Sequence, residues 1–186
     1  MHLRNSKYLL IIPFALLFLA FPAFAAETTL TGKVMKVSDG DTVIISPIEG
    51  GEFFKCRLYG IDAPETPKYG RRGRLIKPGQ PYGDEATREL KRLILGQTVD
   101  ITLTGAKTYK REVCRIVKDG MDVNHEMVKL GYAWAYRHYL HGPYASKYID
   151  AEATARERHL GLWQDTNPTP PWEFRRSLRH IQGTPR

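Results

Sequence analysis

The chain has 186 residues, with 28 Lys and Arg against 20 Asp and Glu, and a formal net charge of +8. A basic excess of this size fits a polyanionic partner. The one long apolar run, Tyr8 to Phe21, is shorter than the ~20 residues of a membrane span and has no second like it, so nothing supports a multi-pass membrane protein.

Residues 1–26 read as a separate object. Arg4 and Lys7 give a basic start, the apolar run follows, and Ala23-Phe24-Ala25 is a small-x-small processing site. This is the pattern of a cleaved secretory signal, which predicts a secreted or periplasmic protein with no stable membrane association after cleavage. An uncleaved tether is the alternative. Removing Arg4 and Lys7 leaves 26 basic residues against 20 acidic, still about +6. About 160 residues remain, enough for one compact domain with its own core, expected over 27–166.

Thr29 to Val37 and Thr42 to Ile45 are β-branched runs separated by the turn Ser38-Asp39-Gly40-Asp41, and a third run, Phe53 to Leu58, completes a meander. Pro67 to Pro81 breaks all periodicity and carries Lys68, Arg71, Arg72, Arg74 and Lys77, which predicts an exposed, mobile loop. From Asp84, the spacing of Ala86, Leu90, Leu93 and Ile94 predicts a helix that Gly96 stops. Thr98 to Leu103 and Val113 to Val117 read as two more strands. Val123 to Leu130 and Tyr144 to Arg158 read as two more helices. Pro168 to Pro171 and the basic segment after it read as a Pro/Arg-rich C-terminal extension, 167–186, lying on the surface. No internal repeat is present.

The order β-β-β-α-β-β-α-α predicts an α+β fold built on a five-stranded OB-type barrel with three α-helices, a fold often used to hold single-stranded nucleic acid on one face. Cys56 and Cys114, the two cysteines of the chain, fall in the third and fifth strands. In an oxidising compartment a disulfide between them is expected; two buried thiols are the alternative.

The chemistry concentrates in three places. Asp39, Asp41, Asp62 and Glu65 lie in two turns that the meander brings to one edge of the barrel, and a set of hard oxygens suits Ca²⁺ or Mg²⁺. A cation there can polarise a phosphate oxygen, and Arg57 and Arg111 beside it make a clamp for a phosphodiester. Taken singly, each has a plainer reading. Asp39-Gly40-Asp41 on its own is more often a tight turn, and each arginine a solvated charge. His138-x-x-His141 lacks the cysteines or helical pattern of a transition-metal site.

Together, Val37-Ser-Asp-Gly-Asp-Thr-Val43, Arg57-Leu-Tyr-Gly-Ile-Asp-Ala-Pro-Glu-Thr66, Tyr82-Gly-Asp-Glu-Ala86, Tyr109-Lys-Arg111, Val123-Asn124, Gly131-Tyr-Ala133 and Gly161-Leu-Trp163 resemble, in order, the staphylococcal (micrococcal) thermonuclease family. The resemblance implies an OB-fold enzyme that uses Ca²⁺ to hydrolyse DNA and RNA to 3′-phosphate products; a monomer is expected. By position it implies that Asp41, Asp62 and the backbone carbonyl of Ala63 ligate calcium, with Asp39 in the outer shell. It implies that Arg57, Glu65 and Arg111 are the catalytic trio. Tyr109, Tyr139, Arg137, Lys68, Arg71 and Arg72 are expected to bind substrate by stacking and charge. Three departures stand out. Ala63 replaces a threonine of the best-known member, Lys110 replaces the glycine of Tyr-Gly-Arg, and the Lys68 to Lys77 loop is longer and more basic. The rival expectation is a catalysis-free OB-fold module that binds nucleic acid, which would have no use for a calcium cage.

Overall fold

The computed structural model describes residues 28–183. The expected signal, 1–26, lies outside them. Five main strands run as β1 (Thr28–Asp39), β2 (Thr42–Pro47), β3 (Phe54–Leu58), β4 (Thr98–Thr108) and β5 (Arg111–Lys118). They pair in the order β3-β2-β1-β4-β5, and β5 then returns to pair parallel with β3, Leu58 opposite Cys114, which closes the barrel. Closure removes the exposed edges that an open sheet would present. A disulfide between Cys56 and Cys114 crosses this seam, with Cα atoms 5.9 Å apart.

The barrel closes because one face of each strand is apolar. Val34, Val43, Ile45, Cys56, Ile101, Cys114 and Ile116 are each fully buried and point inward, as the period-2 alternation of a strand requires. Helix α1 (Gly83–Ile94) caps one end with Ala86, Leu90 and Ile94, all fully buried. Helix α2 (Val123–Lys129) begins at Asp122, whose carboxylate accepts the His125 backbone N–H at 3.0 Å, an N-cap that contributes ~1 kcal/mol. Buried Asn124 ties α2 to the barrel, accepting from Ile116 N and donating to Tyr59 O and Cys114 O. Helix α3 (Ala145–Glu157) lies against α2 through fully buried Tyr148, whose hydroxyl donates to Asp122 at 3.0 Å. Gly131 and Gly161 have φ of +75° and +53°, and a Cβ on either would collide with the backbone beside the other. The two family-like glycine motifs are thus one backbone crossing.

Two regions depart from the sequence reading. The segment expected as a mobile loop contains a short hairpin, Lys68–Tyr69 paired with Leu75–Lys77. The segment expected as a surface extension contains a fourth helix, α4 (Pro171–Gly183). Its Trp172 packs into a ring cluster with Tyr136, Trp134 and Trp163, so residues 171–183 belong to the domain's packing. Among the described residues no helix is long and apolar enough to cross a membrane.

Candidate active site

Asp41 ends the β1–β2 turn, and Gly40 makes that placement possible: a Cβ there would meet those of Ala63 and Ala86, each at 2.7 Å. The turn therefore rests directly on α1 and the 62–63 segment. Arg57 lies on β3 opposite Thr42. Asp62 sits in the two-residue strand Ile61–Asp62, which is held by pairing with Trp134–Ala135. Arg111 opens β5, after the tight turn Tyr109-Lys110. The positive φ in that turn, +59°, falls on Tyr109 and not on Lys110. Lysine in place of the family glycine therefore meets no left-handed strain at 110.

Asp41, Arg57 and Asp62 meet directly, and Arg111 reaches them through Thr42. The Arg57 guanidinium forks Asp41, Nη1 donating to Oδ1 at 3.1 Å and Nη2 reaching Oδ2 at 3.0 Å, and Nη2 also donates to Asp62 Oδ1 at 2.6 Å. Asp41 Oδ1 further accepts from Thr42 Oγ1, and its Oδ2 from the backbone N–H of Ala63. Arg111 Nη1 donates to Thr42 Oγ1 at 3.3 Å. Burial disfavours the charge on Asp41, but the Arg57 guanidinium and the Ala63 amide outweigh it and hold the carboxyl below the usual range. On Asp62 burial wins, and its carboxyl is pushed up. Half-buried Asp39 is pushed up to about 7 by burial and by the charge of Asp41 beside it.

Glu65 is positioned mainly through its backbone. Gln80 accepts from its N–H at 3.0 Å and donates its own N–H to its carbonyl at 2.7 Å. Gly83 lies so close to the Glu65 carbonyl that a Cβ could not fit. Its carboxylate accepts from Lys77 Nζ at 2.6 Å and from Arg175 Nη1 at 2.9 Å. Burial would raise its pKa, but these two cations hold it below the ordinary value. Arg175 comes from α4 and also forks Asp62, Nη1 to Oδ1 at 3.0 Å and Nη2 to Oδ2 at 2.7 Å. Three carboxylates, Asp41, Asp62 and Glu65, thus pair with three cations, Arg57, Lys77 and Arg175, and Arg111 joins them through Thr42. Hydrogen bonds to charged groups contribute about 1.5–3 kcal/mol each, so this network is held firmly.

A cleft of about 1030 Å³ opens over the network, lined by Asp41, Arg57, Glu65 and Arg111, with Lys68, Tyr109, Tyr136 and Tyr139 at its margins. Tyr109 and Tyr139 present exposed rings. Arg71 and Arg72 sit on the exposed tip of the 68–77 hairpin, outside the cleft lining. Arg137 is outside it too, because its guanidinium pairs with buried Glu152 on α3 at 2.7 Å. Sequence reasoning missed Lys77 as a partner of Glu65, and it missed Gln80 and Arg175 altogether. Only Arg175 left a local trace: Pro171 at a helix start, then Trp172 and Arg175 one turn apart.

A family model described as "Staphylococcal nuclease homologue" matches residues 55–165. The chain is 32% identical over 171 residues to an uncharacterized endonuclease of Haemophilus influenzae, covering 92% of this chain and 86% of the relative. It is 30% identical over 173 residues to a micrococcal nuclease of Shigella flexneri, with 88% and 89% covered. A third relative, endonuclease Htp3 of Saprolegnia parasitica, is 34% identical over 167 residues, with 79% and 76% covered.

Proposed function

Because the chain belongs to the staphylococcal nuclease family and is a nuclease, we propose that it is a calcium-dependent, sugar-nonspecific enzyme that cleaves DNA and RNA to 3′-phosphate ends. The observation that carries this reading is the convergence of Asp41, Arg57, Glu65 and Arg111 on one cleft, with Asp62 joined to it through Arg57.

The donor chemistry fits the metal. Asp41 and Asp62, with the Ala63 carbonyl, would hold it, and all are hard oxygens. Few protein ligands, with water and phosphate completing the shell, suit Ca²⁺ better than the strict octahedron of Mg²⁺. When bound, the cation supplies Lewis-acid polarisation of a phosphate oxygen.

The chain's own residues do the rest. Arg57 and Arg111 bind the phosphate and stabilise the charge that grows on its oxygens. Glu65, kept ionised by Lys77 and Arg175, orients the attacking water and accepts its proton. The water oxygen bonds to phosphorus as its proton passes to Glu65, the P–O5′ bond breaks, and the departing 5′ oxygen takes a proton from solvent water, leaving a 3′-phosphate and a 5′-hydroxyl. Tyr109 and Tyr139 stack on bases, while Lys68, Arg71 and Arg72 meet phosphates further along the strand. Export by a cleaved signal belongs to the same reading. The Cys56–Cys114 bond supports it, because such bonds persist in oxidising compartments.

Turnover of an end-labelled oligonucleotide tests the proposal. Glu65→Gln, Arg57→Ala and Arg111→Ala should each cost at least ~100-fold, and phosphatase should shorten the mobility of 3′-phosphate products. Fragments carrying 5′-phosphate, or near-wild-type turnover in Glu65→Gln, would sink it.

A further inference from the structure

Helix α4 lies beyond residue 165, where the family match ends, yet it reaches into the centre of the site. Its start is fixed twice. The Trp172 indole stacks on Tyr136, and Gln80 Nε2 donates to the Thr169 carbonyl at 2.9 Å. One turn after Trp172, the Arg175 guanidinium engages both oxygens of Asp62 and one of Glu65, at 2.7 to 3.0 Å. Asp62 is fully buried, so its charge must be matched by a partner inside the protein. Arg57 Nη2 also sits on Asp62 Oδ1. Both oxygens of this carboxylate therefore already carry arginine hydrogen bonds.

We propose that Arg175 sets the metal affinity of this site, as a tethered counter-cation that holds Asp62 and Glu65 until a divalent cation displaces it. The proposal rests on the reading of Asp62 as a metal ligand. A cation bound to Asp62 needs an oxygen that Arg175 occupies, and two positive groups this close repel. Binding must therefore move Arg175 off the carboxylate, and the free energy lost there weakens the apparent metal affinity. Two consequences follow. The metal-free site stays charge-matched and folded, and metal binding is coupled to how firmly Trp172 docks α4.

The test is calorimetric titration of the mature protein with Ca²⁺ alone, without nucleic acid, alongside thermal unfolding in chelator. Arg175→Gln keeps hydrogen-bonding groups but removes the charge. It should tighten calcium binding at least about tenfold and lower the melting temperature in chelator. Trp172→Ala leaves every charge in place and, by loosening α4, should also tighten binding. Arg175→Lys, which keeps the charge and loses the fork, should fall between wild type and Arg175→Gln. Unchanged or weaker binding in both Arg175→Gln and Trp172→Ala, with wild type binding calcium, would overturn this proposal and leave the metal reading intact. If neither wild type nor Arg175→Gln binds calcium, both fall together. Should Arg175→Gln fail to fold, the Trp172→Ala result decides.

Discussion

The indole of Trp172 lies flat on the ring of Tyr136, with centroids 5.1 Å apart and 8° between their planes. Trp134 meets the same indole edge-on at 5.6 Å. Contacts of this kind contribute about 0.5–1.5 kcal/mol beyond the area they bury, and they help to fix the start of the helix that carries Arg175. Trp172→Ala should therefore release α4 without unfolding the barrel. Hydrogen exchange should show at least ~10-fold faster exchange in α4 and unchanged protection in β1 and β4. Equal loss of protection throughout would mean that α4 and the barrel unfold as one unit.

The barrel and much of its chemistry were legible because their signals are local. β-branched runs marked β1, β2 and β5, and the spacing of Ala86, Leu90 and Ile94 marked α1. The turn Asp39 to Asp41 and the run Arg57 to Glu65 carry their functional groups within a few residues of each other, so one motif brings most of the network. The Glu65 surroundings were not legible. Lys77, Gln80 and Arg175 reach it across 12, 15 and 110 residues; a single Lys or Gln side chain leaves no periodic trace, and the helical spacing of Trp172 and Arg175 does not say where that helix docks. Arg137 illustrates the opposite case. Its aromatic neighbours suggested a substrate surface, but the partner that claims it, Glu152, lies on a helix face where nothing local marks it as a buried acid. The α4 segment was discounted on its prolines, although Pro171 begins the helix rather than preventing it.

The Cys56–Cys114 bond closes a loop 58 residues apart in sequence across the parallel β3–β5 seam. A loop of that length implies a stabilisation of about 4 kcal/mol. Reduction should lower the unfolding midpoint in urea accordingly, and intact mass with alkylation should find no free thiol in the native protein. Two alkylatable thiols without reductant would refute the bridge.

Arg176 and Arg179 of α4 line the cleft with Lys68. Neutralising all three should raise KM for long polynucleotides and flatten its dependence on salt, because each lost phosphate contact removes a released counterion. Turnover at saturation should change little. A collapse of kcat with an unchanged salt slope would place these residues in the chemical step.

His125 is half-buried on α2, against the Tyr148 ring. Burial and the charge of Lys147 lower its pKa from the ordinary 6.5, against the opposing pull of Asp122 and Glu126. The unfolded chain protonates this imidazole near its ordinary value while the folded protein resists. The stability it contributes is therefore present above pH 6.5 and is lost as pH falls below it. Urea unfolding at pH 7.5 and 5.5 should show a smaller acid loss in His125→Gln than in wild type. An identical loss in the two proteins would contradict the assignment.

The most direct test of the central claim is the initial rate at which the purified mature protein cleaves single-stranded DNA in calcium and in excess chelator. The Asp41, Asp62, Arg57, Glu65 and Arg111 network predicts rapid cleavage in calcium and none above background in chelator, with Mg²⁺ a poor substitute. The same rate in chelator as in calcium would contradict a metal-assisted mechanism at this cleft. Binding of the DNA without cleavage under either condition would revive the reading of a catalysis-free OB-fold module.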